Sequence, residues 1–221
     1  RLGADGGLKG ALVSIDAVAT NADIAAAIAA QGADWLLAVK ANQPTLRAEV
    51  EAAFTDAAAR TETRAETGAG ALLDTHLDLD KGHGRIEERR TAVLRDTDWL
   101  DGTRRFPGEL RLPGTACLVR AETRGEAKGA TRTETRYFVS SRALSAEAAA
   151  TAIRGHWAIE NRLHWLLDTA FDEDRARNRK DNGPENLAIL RKLTLNVMRK
   201  SRPKLGITRK RKRSGWSDDF A

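Results

Sequence analysis

The chain has 221 residues, of which 41% are hydrophobic and 31% are charged. This composition supplies enough apolar side chains for a folded core and excludes a fully disordered chain. No apolar run approaches the roughly 18 residues of a membrane helix, so we expect no membrane association. The single cysteine, Cys117, excludes a disulfide framework and a cysteine-based zinc site, and with no signal-like N-terminus it predicts a cytoplasmic protein.

The charge of the chain favours a polyanionic partner. Lysine and arginine outnumber aspartate and glutamate by 37 to 31, which gives a net charge of +6. The excess is concentrated near the C-terminus, where nine of the fifteen residues 199–213 are basic and none is acidic. We therefore treat residues 201–221 as a basic tail. Two compatible interpretations are open: a solvated, mobile segment, or a segment that follows phosphates along a nucleic acid.

The first elements predicted are a strand and a helix. Residues 10–17 are nearly continuously apolar, which is typical of a strand buried on both faces of a parallel sheet. Thr20 and Asp23 match a capping pattern ahead of an alanine-rich run, and Gly32 stands where that helix would end.

A second buried strand and a second helix complete the first region. Residues 35–39 predict the strand, and residues 45–59 predict the helix after a turn containing a proline. Residues 1–60 therefore read as β-α-β-α, the first part of an α/β domain with a mostly parallel sheet.

The pattern changes after residue 60 and becomes rich in strands. Residues 73–80 alternate apolar and polar side chains, which predicts a strand with one exposed face. Residues 115–123 and 132–140 predict a hairpin around the loop 124–130. We interpret residues 61–143 as a β-rich insertion.

Helical periodicity returns in the last third of the chain. It persists over residues 145–169, and after a break near Gly183 a last amphipathic helix is predicted over residues 185–200. Residues 144–200 are thus expected to be C-terminal helices that complete the α/β core.

Two acidic residues stand where acids are costly. Asp16 ends a strand that should be buried, and ligands of open α/β sheets collect beyond the carboxyl ends of strands. It is either a binding carboxylate or a cap of the following turn. Glu160 shares a helix face with apolar residues such as Leu163 and Leu167. Burying an ionised glutamate costs several kcal/mol, so Glu160 is neutral, bound to a cation, or paired, for example with Arg162.

Considered together, the two acids indicate a metal site. An aspartate at a strand end and a glutamate on a helix over the same sheet can converge on one divalent cation. Carboxylate oxygens suit Mg²⁺ or Mn²⁺. Two such ions about 4 Å apart can activate an attacking oxygen and stabilise a leaving one in phosphoryl transfer, and the basic chain directs that chemistry to nucleic acid.

Six segments of the chain form a recognisable set: VSIDA at 13–17, LLAVKANQPTL at 36–46, KGHGRIEERR at 81–90, RYFVSS at 136–141, RGHWAIENRLHWLLD at 154–168 and DNGPENLAILRKLTLN at 181–196. With these segments the sequence resembles the bacterial insertion-sequence DDE transposases, in particular the group that includes the H-repeat-associated proteins of Rhs elements. The resemblance covers nearly the whole chain in the family's order.

The resemblance implies an RNase H-like catalytic core with a β-strand insertion between the second and third acids. Asp16 matches the second acid, and Glu160 matches the third, within the Trp157–Asn161 motif WAIEN. It also implies metal-dependent cleavage of transposon ends followed by transfer of the freed 3′ hydroxyl to target DNA, with Mg²⁺ or Mn²⁺ as cofactor. The partner is then double-stranded DNA, on which a homo-oligomer assembles.

The first acid of the family pattern has no match in this chain. It normally lies on an earlier strand. Asp5 does not match it, because Asp5 is too close to Asp16 and lies in a segment too rich in glycine. We therefore expect an N-terminally truncated transposase with an incomplete core that does not catalyse alone. The alternative is a non-catalytic, DNA-binding transposase remnant.

Further residues are candidates for DNA contact, although a polar loop or a solvated hairpin tip would explain several of them equally. They are Lys40, Asn42 and Gln43 after the second strand, Lys81, His83, Arg85 and Arg89 in the insertion, and Arg154, His156, Asn161 and Arg162 around the third acid.

Two alternatives remain open near Glu160. Asp168, Asp172 or Asp174 can replace it as the third acid. A zinc site built on His156 and His164 is a weaker reading, because the two histidines are eight residues apart on a predicted helix.

Overall fold

The computed structural model describes residues 7–17, 20–66, 72–82, 85–101, 105–106, 109, 111–127, 130–201 and 204–217. Of residues 63–66, 82, 85, 126–127 and 160–161 it describes the backbone alone. The chain divides into two compact units, residues 1–154 and residues 155–221. None of the described helices combines the length and the apolar character that crossing a membrane requires.

The first unit is built on one six-stranded sheet with the order β1-β2-β6-β5-β4-β3. Strands β1 and β2 are parallel, and the other neighbouring pairs are antiparallel. The strands are β1 (Leu12–Ile15), β2 (Asp34–Val39), β3 (Leu73–Gly82), β4 (Arg85–Leu94), β5 (Cys117–Ala127) and β6 (Ala130–Ser140). The predicted β-rich insertion therefore extends the same sheet, because β6 pairs directly with β2.

Six α-helices and two shorter helical turns complete the described fold. The helices are α1 (Ala22–Ala30), α2 (Pro44–Glu66), α3 (Ala146–Ile159), α4 (Trp165–Phe171), α5 (Gly183–Lys200) and α6 (Ile207–Ser214). A 3₁₀ turn covers Asp98–Leu100, and a π-helical turn covers Glu160–His164.

The loop between β1 and α1 corrects one local prediction. Asn21 caps α1, since its side chain accepts a hydrogen bond from the Ile24 amide at 2.8 Å. The predicted capping role of Thr20 is wrong, because the Thr20 hydroxyl instead donates to the Ala38 carbonyl at 2.8 Å. Gly32 does follow the helix end as predicted, with φ +70° in the left-handed region that glycine adopts without strain.

The sheet of the first unit is covered on both faces. Alternate residues of β2 face opposite sides, so Trp35 and Leu37 pack against α1 and α2, while Leu36 and Ala38 belong to the core beneath α3. Phe54 of α2 is 1% exposed in the first of these cores. The two cores hold β2 and β6 rigidly at the centre of the sheet.

Strand β1 and the hairpin differ from their predictions. All four residues of β1 are only half-buried, because β1 lies at an edge of the described sheet and not between two strands. The hairpin loop predicted at residues 124–130 is too long, since β5 and β6 pair as far as Ala127 and Ala130. The two strands continue because their alternating charged side chains project from the sheet into solvent. This arrangement is compatible with regular backbone hydrogen bonding between the strands.

The long helix predicted over residues 145–169 is interrupted. A π-helical turn separates α3 from α4 and begins at Glu160. A π turn changes the angular spacing of side chains, so the single face predicted for the whole segment does not continue past Ile159. Single π turns inserted in α-helices occur frequently at functional sites.

The second unit contains the end of α3, the π-helical turn and the helices α4, α5 and α6. The last three helices contact one another. Helix α6 lies in the segment predicted to be a basic tail, so part of that segment is a folded helix. Lys210 of α6 is 5% exposed, and its ammonium donates to the carbonyls of Met198 at 2.6 Å and Ser201 at 2.8 Å. These two bonds anchor α6 to the C-terminal end of α5, where unpaired helix carbonyls are available.

Candidate active site

The carboxyl ends of β1 and β2 place Asp16 beside Lys40. The two strands are parallel, with Ile15 opposite Leu37, and each is followed at once by a polar residue. The Lys40 ammonium lies 2.6 Å from the Asp16 carboxylate, and the side chains are 52% and 45% exposed. The sheet therefore presents a solvent-accessible carboxylate at the edge where ligands of such folds bind.

The loop after β2 is fastened to the loop that carries Asp16. The Asn42 amide nitrogen donates to the Ala17 carbonyl at 3.0 Å, and the Gln43 amide nitrogen donates to the Thr20 carbonyl at 2.5 Å. Lys40, Asn42 and Gln43 thus share one edge with Asp16, as their sequence positions indicate. Because both amides donate to the protein backbone, their structural effect is to fix the position of the Asp16 loop.

Sequence reasoning missed the part that Thr20 plays in this arrangement. The hydrogen bond from its hydroxyl to the Ala38 carbonyl fixes the segment after Asp16 to the C-terminal end of β2. Thr20 is 5% exposed although it lies in a loop. The only available signal was a β-branched polar residue four positions after the acid, and it was interpreted as a helix cap.

Asp16 fits a divalent cation by its chemistry. It is an oxygen donor of the type that Mg²⁺ and Mn²⁺ prefer, and it is accessible to water. Its close contact with an ammonium shows that this position already accommodates a positive charge. A cation bound there would compete with the Lys40 ammonium for the Asp16 carboxylate.

Glu160 is the first residue of the π-helical turn, and its side chain lies outside the described residues, as does that of Asn161. Asp16 and Glu160 belong to different units, so their convergence on a metal ion stays a prediction. Among the described side chains, no group of three or more histidine, cysteine, aspartate or glutamate residues is placed to hold a metal ion.

The positive charges of the DNA-contact candidates in the first unit are partly neutralised by carboxylates. Arg89 pairs with Glu87 at 2.6 Å and with Asp80 at 3.6 Å, and Arg154 of α3 pairs with Asp78. Each would have to exchange a carboxylate for a phosphate. Lys81 is exposed near the end of β3, whereas His83 and the side chain of Arg85 lie outside the described residues, as does Asp5.

The remaining candidates lie around and after the π turn. His156 is half-buried on α3, and Arg162 is exposed within the turn. The turn also removes the regular helical spacing on which the zinc reading of His156 and His164 depended. Of the alternative acids, Asp172 pairs with Arg175 at 3.7 Å and ends α4 with φ 54°. Asp168, Asp172 and Asp174 remain candidates.

Comparison with known proteins identifies the family. The family model described as "Transposase DDE domain" matches residues 2–197. "Putative transposase YncI" of Escherichia coli O157:H7 is 34% identical over 209 residues, which cover 93% of this chain and 50% of the relative. "H repeat-associated putative transposase YhhI" of Escherichia coli (strain K12) is 31% identical over 216 residues, 96% of this chain and 54% of the relative.

A third relative, "Putative protein YbfL" of Escherichia coli (strain K12), is 31% identical and covers 96% of this chain and 54% of its own length. The chain thus spans about half the length of these relatives. No solved structure matches it. The family implies an RNase H-like fold, a DNA partner and divalent ions in general, and the mixed α/β sheet agrees with the first of these. The chain belongs to the DDE transposase family.

Proposed function

We propose that this chain supplies the second and third acids of a DDE transposase that cleaves transposon ends and joins them to target DNA. The observation that carries the proposal is the accessible carboxylate of Asp16 at the carboxyl end of β1, beside Lys40. The position, the residue type and the family pattern agree on this one side chain. Glu160 is assigned with it from the family pattern and from its place on the π turn.

The chain's own residues have separate parts in this chemistry. Asp16 and Glu160 would hold Mg²⁺ or Mn²⁺, which supply activation of the attacking oxygen and stabilisation of the leaving one. Lys40 balances the charge of Asp16 until the site is filled and then contacts the DNA backbone. Asn42, Gln43 and Thr20 keep the Asp16 loop in place. Water attacks the phosphodiester and frees a 3′ hydroxyl, which in turn attacks target DNA, with no covalent protein intermediate.

The proposal also states what this chain does on its own. Because no residue before Asp16 in the printed sequence matches the first acid, we propose that the segment has an incomplete core and binds DNA without cleaving it. Assembly as a homo-oligomer on DNA and a cytoplasmic location belong to the same proposal. The alternative is a DNA-binding remnant with no catalytic role, and the basic second unit favours that reading.

The test compares metal binding with nicking of supercoiled DNA. We expect Asp16→Asn to weaken Mn²⁺ binding, measured by electron paramagnetic resonance, by at least about tenfold, the scale on which even indirect partners of metal ligands act. Asp23→Asn is the matched control, because Asp23 is an exposed aspartate in the first turn of α1. Equal Mn²⁺ affinity in Asp16→Asn and the parent chain would contradict the assignment.

Lys40→Gln is an independent test of the same site. The substitution removes the ammonium that competes with a metal ion for the Asp16 carboxylate, so we expect Mn²⁺ to bind more tightly while affinity for DNA falls. Mn²⁺ binding that Asp16→Asn weakens would support the enzyme. Nicking by the chain that Asp16→Asn abolishes would support it too, but would contradict the proposal that the segment alone does not cleave DNA. Salt-sensitive DNA binding without nicking, with Mn²⁺ binding unaffected by either substitution, would support the remnant.

A further inference from the structure

The second unit contains a cleft that the proposed catalytic site does not use. It has a volume of about 420 Å³, and its walls include Trp165, Leu166 and Thr169 of α4 and Gly206, Thr208 and Arg209 at the beginning of α6. Trp165 is 60% exposed, although tryptophan is usually well buried. A large aromatic face is therefore open to solvent beside a cationic side chain.

One basic side chain of α6, that of Arg209, lines this cleft, and its position is fixed because α6 is anchored. Lys210 is buried by its bonds to the end of α5, and this fixes the rotation of the helix. The neighbouring residues Arg209, Arg211 and Lys212 are exposed, and within the described part of the chain they form no ion pair. Arg209 and Lys212 are three residues apart and therefore share one face of α6, whereas Arg211 lies on another face. Two cations are thus held together with no carboxylate partner among the described residues.

The combination of an open aromatic face and uncompensated cations selects the chemistry of the ligand. A nucleobase stacks on an aromatic side chain, and alanine substitution of such platforms costs about 1–3 kcal/mol per base. The phosphates that flank the base suit the cations of α6. In a duplex both faces of each base are already stacked, so the ligand must offer an unpaired base.

We propose that the Trp165 cleft binds an unpaired nucleobase of a DNA strand whose phosphates lie along Arg209 and Lys212. The proposal rests on the proposed function in one respect, that DNA is the ligand. It does not depend on Asp16 or Glu160. It adds recognition of single-stranded or frayed DNA to a protein expected to act on duplex DNA.

The helix length is compatible with this ligand. The eight residues of α6 extend about 12 Å, which is enough for two or three phosphates of an extended strand. A protein partner is the competing occupant of an exposed aromatic surface. The uncompensated cations favour the polyanion, because an ordinary protein surface would leave their charges unpaired on burial.

The test measures binding of two labelled probes to the whole chain by fluorescence anisotropy: a ten-residue oligothymidylate and a mixed-sequence 20-base-pair duplex. We expect Trp165→Ala to weaken oligothymidylate binding about 5- to 150-fold and duplex binding less than twofold. Trp165→Phe, which retains an aromatic face, should restore binding to within about threefold of the parent chain.

Trp216 provides the matched control, because it is 81% exposed and does not line the cleft. Trp216→Ala should leave both affinities unchanged. The assignment is overturned if Trp165→Ala leaves oligothymidylate binding intact, as it would if a protein occupies the cleft. It is also overturned if both probes weaken equally, or if Trp216→Ala has the same effect.

The outcome can be separated from that of the proposed catalytic function. Asp16→Asn should not change oligothymidylate affinity measured without divalent ions. Loss of the Trp165 effect with an intact Asp16 effect on Mn²⁺ binding would remove the cleft alone. The reverse pattern would remove the catalytic proposal and leave the cleft in place.

Discussion

The two units divide the charge of the chain unequally. Residues 1–154 carry 21 lysine and arginine residues and 22 aspartate and glutamate residues, a net charge of −1. Residues 155–221 carry 16 and 9, a net charge of +7. The overall charge of +6 thus arises in the smaller unit. Net composition alone indicates a polyanionic partner, but its distribution indicates which unit attracts that partner.

The units also differ in how their surface cations are used. In the sheet unit most described arginines pair with a carboxylate, as Arg142 does with Asp34 and Arg136 does with Glu134. In the helical unit Arg209, Arg211 and Lys212 of α6 are exposed and have no such partner among the described residues. Paired surface cations contribute little net field, so we expect the sheet to position chemistry and the helices to supply affinity for DNA.

The same contrast holds for buried ions. Glu109 of the first unit is 2% exposed and receives hydrogen bonds from Arg105 and Arg111. Lys210 of the second unit is buried with two neutral carbonyls as its partners. In the first unit the buried charge of Glu109 is therefore neutralised by arginines, whereas in the second unit the buried charge of Lys210 is not neutralised by its partners.

The largest expected effect is a loss of stability from the core of the sheet unit. Phe54 is buried against Tyr137, with ring centroids 6.0 Å apart, and the Arg120 guanidinium lies 5.2 Å from the Phe54 ring. We expect Phe54→Ala to lower the free energy of unfolding by about 3–5 kcal/mol. Thr55→Ala, at the adjacent exposed position, should change it by less than about 0.5 kcal/mol. Urea denaturation followed by circular dichroism measures both.

Helix α5 offers a matched pair that tests how the second unit packs. Leu195 is fully buried, whereas Val197, two positions further along, is 67% exposed. Leu195→Ala should cost about 2–5 kcal/mol and Val197→Ala at most about 0.5 kcal/mol. A cost at Val197 similar to that at Leu195 would show that another surface covers the outer face of α5, and the contrast between the units would then be smaller than described.

The sequence predicts most of the sheet, and the reasons for its failures are physical. The β-α-β start, the strands β3, β5 and β6 and the helices α3 and α5 follow from periodicity and turn residues. Strand β4 is not predicted, since residues 81–90 are interpreted as a charged hairpin tip. The edge position of β1 does not follow from its sequence, because an apolar strand has the same pattern at an edge as in the centre. The π turn at Glu160 has no marker in a helical periodicity.

The candidate site could be predicted in part. The position of Asp16 beside Lys40 follows from two parallel strands that end at the same edge. The roles of Thr20 and Lys210 could not be predicted, since each depends on a carbonyl that tertiary packing brings close. Sequence alone also does not distinguish Arg89, which pairs with carboxylates, from Arg209, which has no carboxylate partner in the part of the chain that the structure describes.

Charge removal sharpens the comparison between the units. The triple variant Arg209→Gln, Arg211→Gln, Lys212→Gln should reduce the slope of log affinity against log salt for duplex DNA by about 2.7, which is 0.9 for each phosphate contact. The control variant Arg47→Gln, Arg60→Gln, Arg90→Gln removes three arginines that pair with carboxylates. Its slope should stay nearly unchanged in anisotropy titrations between 50 and 200 mM salt. Equal slopes in the two variants would contradict the division of roles.

The smallest expected effect is the pH dependence contributed by the buried carboxylate of the sheet unit. Burial by itself raises the pKa of Glu109, but the hydrogen bonds and charges of Arg105 and Arg111 outweigh it and lower the pKa below its usual value of 4.5. A lowered pKa means that the folded state holds the ionised form more strongly than the unfolded state does. The stabilisation is therefore complete above about pH 4.5 and is lost as the pH falls through the pKa of the folded state.

In Glu109→Gln this contribution is absent at every pH, and Arg111 loses its buried carboxylate. We expect the variant to melt below the parent chain at pH 7 and the two melting temperatures to converge towards pH 3. Glu62→Gln, at an exposed position of α2, should follow the parent curve throughout. A constant difference between Glu109→Gln and the parent from pH 7 to pH 3 would mean that packing, and not ionisation, is what Glu109 contributes. The contrast between the buried charge of Glu109 in the first unit and that of Lys210 in the second would then be lost.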